Sequence, residues 1–135
     1  MLSGGAALDD CIRQTSLTNL HFLPAGPAPA FPPELLASPA MAEMLEMVRG
    51  RYDSILLDST PIVDLSDGAQ LAALADGAIV VVSAAKTEQA RLLDALRILE
   101  EVGVPVLGIV YNRSIGTPAL EWLEQEDTRA LEYHE

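Results

Sequence analysis

Three short, almost unbroken apolar runs constrain this chain more than any other feature: Ser54-Ile-Leu-Leu-Asp58, Gly77-Ala-Ile-Val-Val-Val-Ser83 and Pro105-Val-Leu-Gly-Ile-Val-Tyr111. A run this brief, apolar on both alternating sides, reads as a strand covered on both faces. Stretches with helical periodicity lie between the runs. Ser66 to Ala75 is short and Ala-rich; Thr87 to Val102 is longer, with Leu92, Leu93, Leu96 and Leu99 expected on one face. Gly103 stops the longer helix, as a left-handed C-terminal residue should. Strands alternating with helices predict an α/β fold, a three-layer sandwich around a mostly parallel sheet.

The first third is organised differently. Asn19-Leu-His-Phe-Leu23 is a short apolar segment ended by Pro24 and is expected to be a strand. Pro24 to Pro33 holds five prolines in ten residues. Each proline fixes φ and removes a donor, so an extended connector is expected there. Ser38-Pro39 is a helix start, a capping hydroxyl followed by a residue with no N–H to satisfy. Met41, Met44, Leu45 and Val48 recur at helical spacing as core positions, and Gly50 sits where that helix should stop. Near the other end, Thr117-Pro118 is a second cap pair, opening an acidic helix with Trp122 and Leu123 on its apolar side.

Composition narrows the function classes. Half of the 135 residues are hydrophobic, which affords a core and excludes the disordered class. A net charge of -12 opposes nucleic acid and anionic membrane surfaces, which would repel it. The single Cys11 cannot form an intrachain disulfide. No apolar run approaches the roughly 20 residues that span a bilayer, so direct membrane insertion is not expected. Met1 to Asp10 carries no basic residue, unlike a signal peptide, and the expected location is the cytoplasm.

Asp58 is the leading candidate for chemistry. It ends an apolar run, and ligands in open parallel sheets bind beyond the carboxyl ends of the strands. A carboxylate there can hold Mg²⁺ through water, or it can be a plain turn residue ahead of Ser59-Thr60-Pro61; spacing alone leaves both open. Ser66 or Asp67 is expected to cap the helix that follows. Asn112-Arg113 ends the last run and is expected at the same sheet edge as Asp58. Asn112 can read an adenine edge through its donor and acceptor, or simply make the turn that Asn favours. Lys86, the only lysine, precedes Thr87, the expected helix cap. His21 and His134 have no neighbours at metal-ligand spacing. No G-x-x-x-x-G-K-[ST] occurs in these residues, so no ring of backbone N–H groups and no lysine is offered to a phosphate.

The order of segments resembles the bacterial tyrosine kinases, the P-loop kinases of exopolysaccharide and capsule synthesis. The resemblance is carried by Asn19-Leu-His-Phe-Leu-Pro-Ala-Gly-Pro27, Pro33-Glu-Leu-Leu-Ala-Ser38 and Arg51-Tyr-Asp-Ser-Ile-Leu-Leu-Asp58. It continues through Ala75-Asp-Gly-Ala-Ile-Val-Val-Val82 and Gly103-Val-Pro-Val-Leu-Gly-Ile-Val-Tyr-Asn-Arg113. It implies a partial P-loop NTPase fold over residues 1–114, the Walker B half, with 115–135 as an acidic C-terminal helix or tail. It also implies Mg-ATP as cofactor, Asp58 as the Walker B carboxylate on magnesium and Asn112 near adenine. The family usually has Asp-Thr-Pro-Pro where this chain has Asp58-Ser59-Thr60-Pro61, and several tail tyrosines where this chain has Tyr133. The loop and the second aspartate motif of the family precede the region where Met1 falls. The expectation is therefore a truncated kinase-like domain unable to bind ATP or phosphorylate tyrosine alone. Two alternatives stand beside it: a non-catalytic partner completing or regulating an intact kinase, and a fragment of a partitioning-type ATPase. The partners implied are an intact kinase or a membrane polysaccharide co-polymerase, the latter holding the chain at the inner membrane face.

Overall fold

The computed structural model describes residues 2, 5–27, 32–84 and 86–114. The chain forms two compact units, residues 1–75 and 76–135. The expected acidic helix after Thr117 lies outside the described residues.

The first unit contains helices α1 (Leu8–Cys11), α2 (Pro32–Leu36), α3 (Pro39–Arg49) and α4 (Ser66–Ala72), with strands β1 (Arg13–Gln14) and β2 (His21–Phe22). Helix α3 forms because Met41, Met44, Leu45 and Val48 make one buried stripe. With Leu8 they build the core of this unit, against which Leu36, Tyr52, Ile55, Leu57, Leu71 and Leu74 pack. Each buried side chain of the α3 stripe contributes about 1.5–3 kcal/mol. Ser38 stands at the N-cap in extended conformation, yet it makes no side-chain cap bond. Its hydroxyl donates instead to the Leu35 carbonyl at 2.6 Å.

Several expectations in this unit need correction. The 19–23 strand shrinks to β2, which pairs antiparallel with β1 through Arg13↔Phe22 and Gln14↔His21. The intervening loop is held by Thr15, whose hydroxyl bonds to Leu20 O at 2.9 Å and accepts the Leu17 N–H at 3.1 Å. The connector does not run to Pro33, because α2 already begins at Pro32. Prolines are admitted in a first helical turn, where N–H groups have no helical partner. Helix α4 stops at Ala72 and is capped at Leu65, so Ser66 and Asp67 sit inside its first turn rather than capping it. A carboxylate in that turn still meets the positive end of the peptide dipoles.

The run Ser54–Asp58 is not a strand: it belongs to no ladder among the described residues. Ile55 and Leu57 pack on the α3 core, while Leu56 between them is 87% exposed. The two-sided alternation of a strand is present without the hydrogen-bonded neighbour that defines one. Apolar composition reports the first property and says nothing of the second.

The second unit contains β3 (Ala78–Ser83), α5 (Gln89–Val102) and β4 (Val106–Asn112). β3 and β4 pair in parallel, from Ala78↔Val106 to Ser83↔Asn112, with an irregularity between Ala78 and Ile79. Both strands and their direction agree with the sequence reading. Among the described residues this sheet has two strands, and its two faces differ in exposure. Val82 is buried, whereas Ile79 and Val81, on the opposite side, are 55% and 61% exposed. Helix α5 buries Leu92, Ala95 and Leu99, and Leu93 is 44% exposed rather than sharing their face. One residue turns a helix by about 100°, which carries Leu93 off the stripe centred on Leu92, Ala95 and Leu99. Gly103 takes φ +79°, its N–H bonding to Glu100 O and that of Val104 to Leu99 O, the paired bonds of a Schellman turn. The N-cap of α5 is Glu88, not Thr87. The Thr87 hydroxyl instead accepts the Ser83 N–H at 2.9 Å. Among the described residues no helix is long and apolar enough to cross a membrane.

Candidate functional site

Asp58 stands at the end of its ladderless run, exposed, with no hydrogen-bond or ion-pair partner among the described residues. The loop beyond it is built by close approach. Helix α4 comes so near that a Cβ on Gly68 would lie 3.1 Å from Thr60 O and from Ile62 Cα. Pro61 O accepts the N–H groups of Asp64 and Leu65, which closes the turn leading into α4. The Ser59 hydroxyl donates to Thr60 O at 3.1 Å. The carboxylate of Asp58 is thus presented by a packed loop, with its acceptor capacity unused among the described residues.

Asn112 closes β4 in the second unit. Its Oδ1 accepts the Arg113 N–H at 2.8 Å, and its backbone carbonyl accepts the Ala84 N–H at 2.9 Å. Arg113 takes φ +60°, a left-handed conformation that residues other than Gly adopt at a cost. This is the geometry of a turn, with the side-chain oxygen of Asn112 already engaged by the backbone. The register neighbour of Asn112 is Ser83, whose Oγ is buried and has no partner within the described residues. Sequence reasoning passed over Ser83, although it ends an apolar run just as Asp58 does; that rule could have found it. Lys86 is exposed, in keeping with a solvated role.

Asp58 and Asn112 fall in different units. Among the described residues no three His, Cys, Asp or Glu side chains are grouped to hold a metal ion. Mg²⁺ is bound by one or two carboxylates together with the phosphates of its nucleotide. Asp58 is an exposed carboxylate, and these 135 residues contain no glycine-rich loop with lysine to seat phosphates. Among the described residues, the donor set does not by itself make a complete Mg-ATP site.

Comparison with known proteins gives a consistent kinship. The chain is 33% identical over 112 residues to the tyrosine-protein kinase CpsD of Streptococcus agalactiae, covering 83% of this chain and 48% of CpsD. It is 30% identical over 107 residues to the tyrosine-protein kinase YwqD of Bacillus subtilis, covering 79% of this chain and 45% of YwqD. The crystal structure of the VpsO kinase domain matches with a TM-score of 0.79 at 32% identity, covering 84% of this chain and 56% of that domain. The chain thus spans about half the length of CpsD and YwqD, and 15% of EpsB of Ralstonia solanacearum, to which it is 29% identical. No family model matches the chain.

Proposed function

The chain belongs to the bacterial tyrosine-protein kinases and shares the α/β fold of their kinase domain, and from that membership we propose a kinase-derived half-domain of capsule or exopolysaccharide synthesis that neither binds Mg-ATP nor transfers phosphate alone. The observation that carries the reading is Asp58: exposed and, among the described residues, without a partner and at the end of a run without a ladder. In a complete phosphoryl-transfer site the nucleotide supplies most of the metal's oxygen ligands, and a glycine-rich loop supplies the N–H groups that hold the nucleotide. Asp58 is then the carboxylate that would complete the magnesium shell, and Asn112 the residue that would stand near the base. Neither can substitute for the loop, because an isolated solvated carboxylate retains Mg²⁺ weakly.

The kinase relatives support the kinase branch. The working location is the cytoplasm, at the inner face of the membrane when a polysaccharide co-polymerase or an intact kinase holds the chain there. The test is incubation of the purified chain with Mg²⁺ and ATP labelled at the γ-phosphate, followed by detection of phosphotyrosine. The reading predicts no label on the chain or on an added tyrosine-containing peptide. Label that disappears in an Asp58→Asn variant would overturn it.

A further inference from the structure

We infer that the cleft at the carboxyl end of α5 is a docking site for a partner polypeptide that presents an arginine flanked by apolar side chains. The site lies within the second unit and involves neither Asp58 nor nucleotide.

Shape supplies the first argument. An open cleft of about 340 Å³ is lined by Leu96, Glu100, Gly103, Val104, Pro105 and Val106. The turn that ends α5 makes it. Gly103, at φ +79°, reverses the chain, Val104 is buried, and Pro105 leads straight into β4 beside the last turns of the helix. A Cβ on Gly103 would meet no atom within 4 Å, so the space there is open. Leu96, Val104, Pro105 and Val106 make the wall mostly apolar, which suits an apolar body with few polar contacts.

Charge complementarity supplies the second and decides the occupant. Glu100 lines the cleft and Glu101 follows it, both exposed in the last turn of α5, which holds no basic residue. The peptide dipoles make that end of the helix negative, so a cation is favoured there and a carboxylate is not. Among the described residues neither glutamate side chain has a hydrogen-bond or ion-pair partner. Arg97, the nearest cation along the helix, pairs instead with Asp94 at 3.3 Å. A purely apolar occupant would leave the carboxylates unmatched, and a bare cation would leave the wall of Leu96 and Val106 in water. Arginine meets both demands: its planar, weakly hydrated guanidinium lies on apolar surface and offers paired donors to a carboxylate. Apolar neighbours of that arginine fill the rest of the cleft. A different chain is favoured over a second copy, because each copy carries a net charge of -12 and two copies repel.

The test is an NMR titration of the isotopically labelled 135-residue chain with the peptide acetyl-Gly-Ser-Leu-Arg-Leu-Ser-Gly-amide. Amides of Glu100, Gly103, Val104 and Val106 should shift saturably, with a Kd of about 1 mM or tighter. A peptide with citrulline in place of arginine keeps the shape and loses the charge; one with alanines in place of the leucines keeps the charge and loses the apolar body. Each should bind about threefold to tenfold more weakly. Glu100→Gln should weaken the arginine peptide by about the same factor and leave the citrulline peptide unchanged, a difference that simple loss of fold does not produce. No saturable shift up to about 10 mM peptide would overturn the inference. So would shifts centred outside the cleft, equal affinity for the arginine and citrulline peptides, or indifference to Glu100→Gln. A dimer mass by light scattering without peptide, reverting to monomer in Glu100→Gln, would also overturn it by making a second copy the occupant.

Discussion

A hydroxyl buried without a partner loses its hydrogen bonds to water and gains none in return. Among the described residues Ser83 Oγ is in that position at the end of β3, although its backbone is well tied to Thr87. Ser83→Ala should therefore stabilise the second unit by about 1 kcal/mol, read as a higher urea midpoint for loss of β3 and β4 structure. Gly103 is the opposite case. Its φ of +79° suits glycine, so Gly103→Ala should cost about 1 kcal/mol in the same assay. Gly103 was legible in the sequence because helix ends obey a local rule. Ser83 was not, because whether an oxygen is buried and alone depends on packing that no short window of sequence contains. Asp58 and Asn112 lie between these cases. Their positions at the ends of apolar runs could be read directly, whereas the engagement of Asn112 Oδ1 by its own neighbour needed the folded turn.

Elements differ in how much of their stability is their own. Met44 lies in the stripe that joins α3 to the first core, and Leu99 is its counterpart in α5. Met44→Ala and Leu99→Ala should each cost about 2–5 kcal/mol. Amide exchange should then accelerate in α3 for the first and in α5 for the second. Leu93→Ala should cost less than about 1 kcal/mol, since its side chain is exposed off the stripe. The long periodic helices and the two β-branched strands were readable because each repeats its signal over several turns or residues. The four-residue α1 and the two-residue β1 repeat nothing, and α2 begins at a proline pair that reads equally well as connector. Ser54–Asp58 failed for a different reason. Its apolar pattern is that of a strand, but pairing is a property of two segments, and no partner segment is found among the described residues.

At the scale of the whole chain, kinship and competence separate. Kinship with the tyrosine kinases was legible from the order of segments, and about a third of the residues match those of CpsD and YwqD along the matched length. Competence requires a phosphate seat and a metal shell; these 135 residues contain no glycine-rich loop with lysine for the first, and among the described residues no three His, Cys, Asp or Glu side chains are grouped for the second. The sequence reading of Asp58 stopped at two alternatives because a strand-end carboxylate takes its role from what stands across from it. Isothermal titration of the purified chain with ATP and excess Mg²⁺ tests the account most directly. The account predicts no saturable heat up to about 1 mM nucleotide, a free energy weaker than about -4 kcal/mol. Saturable binding in the micromolar range, abolished by Asp58→Asn, would contradict it.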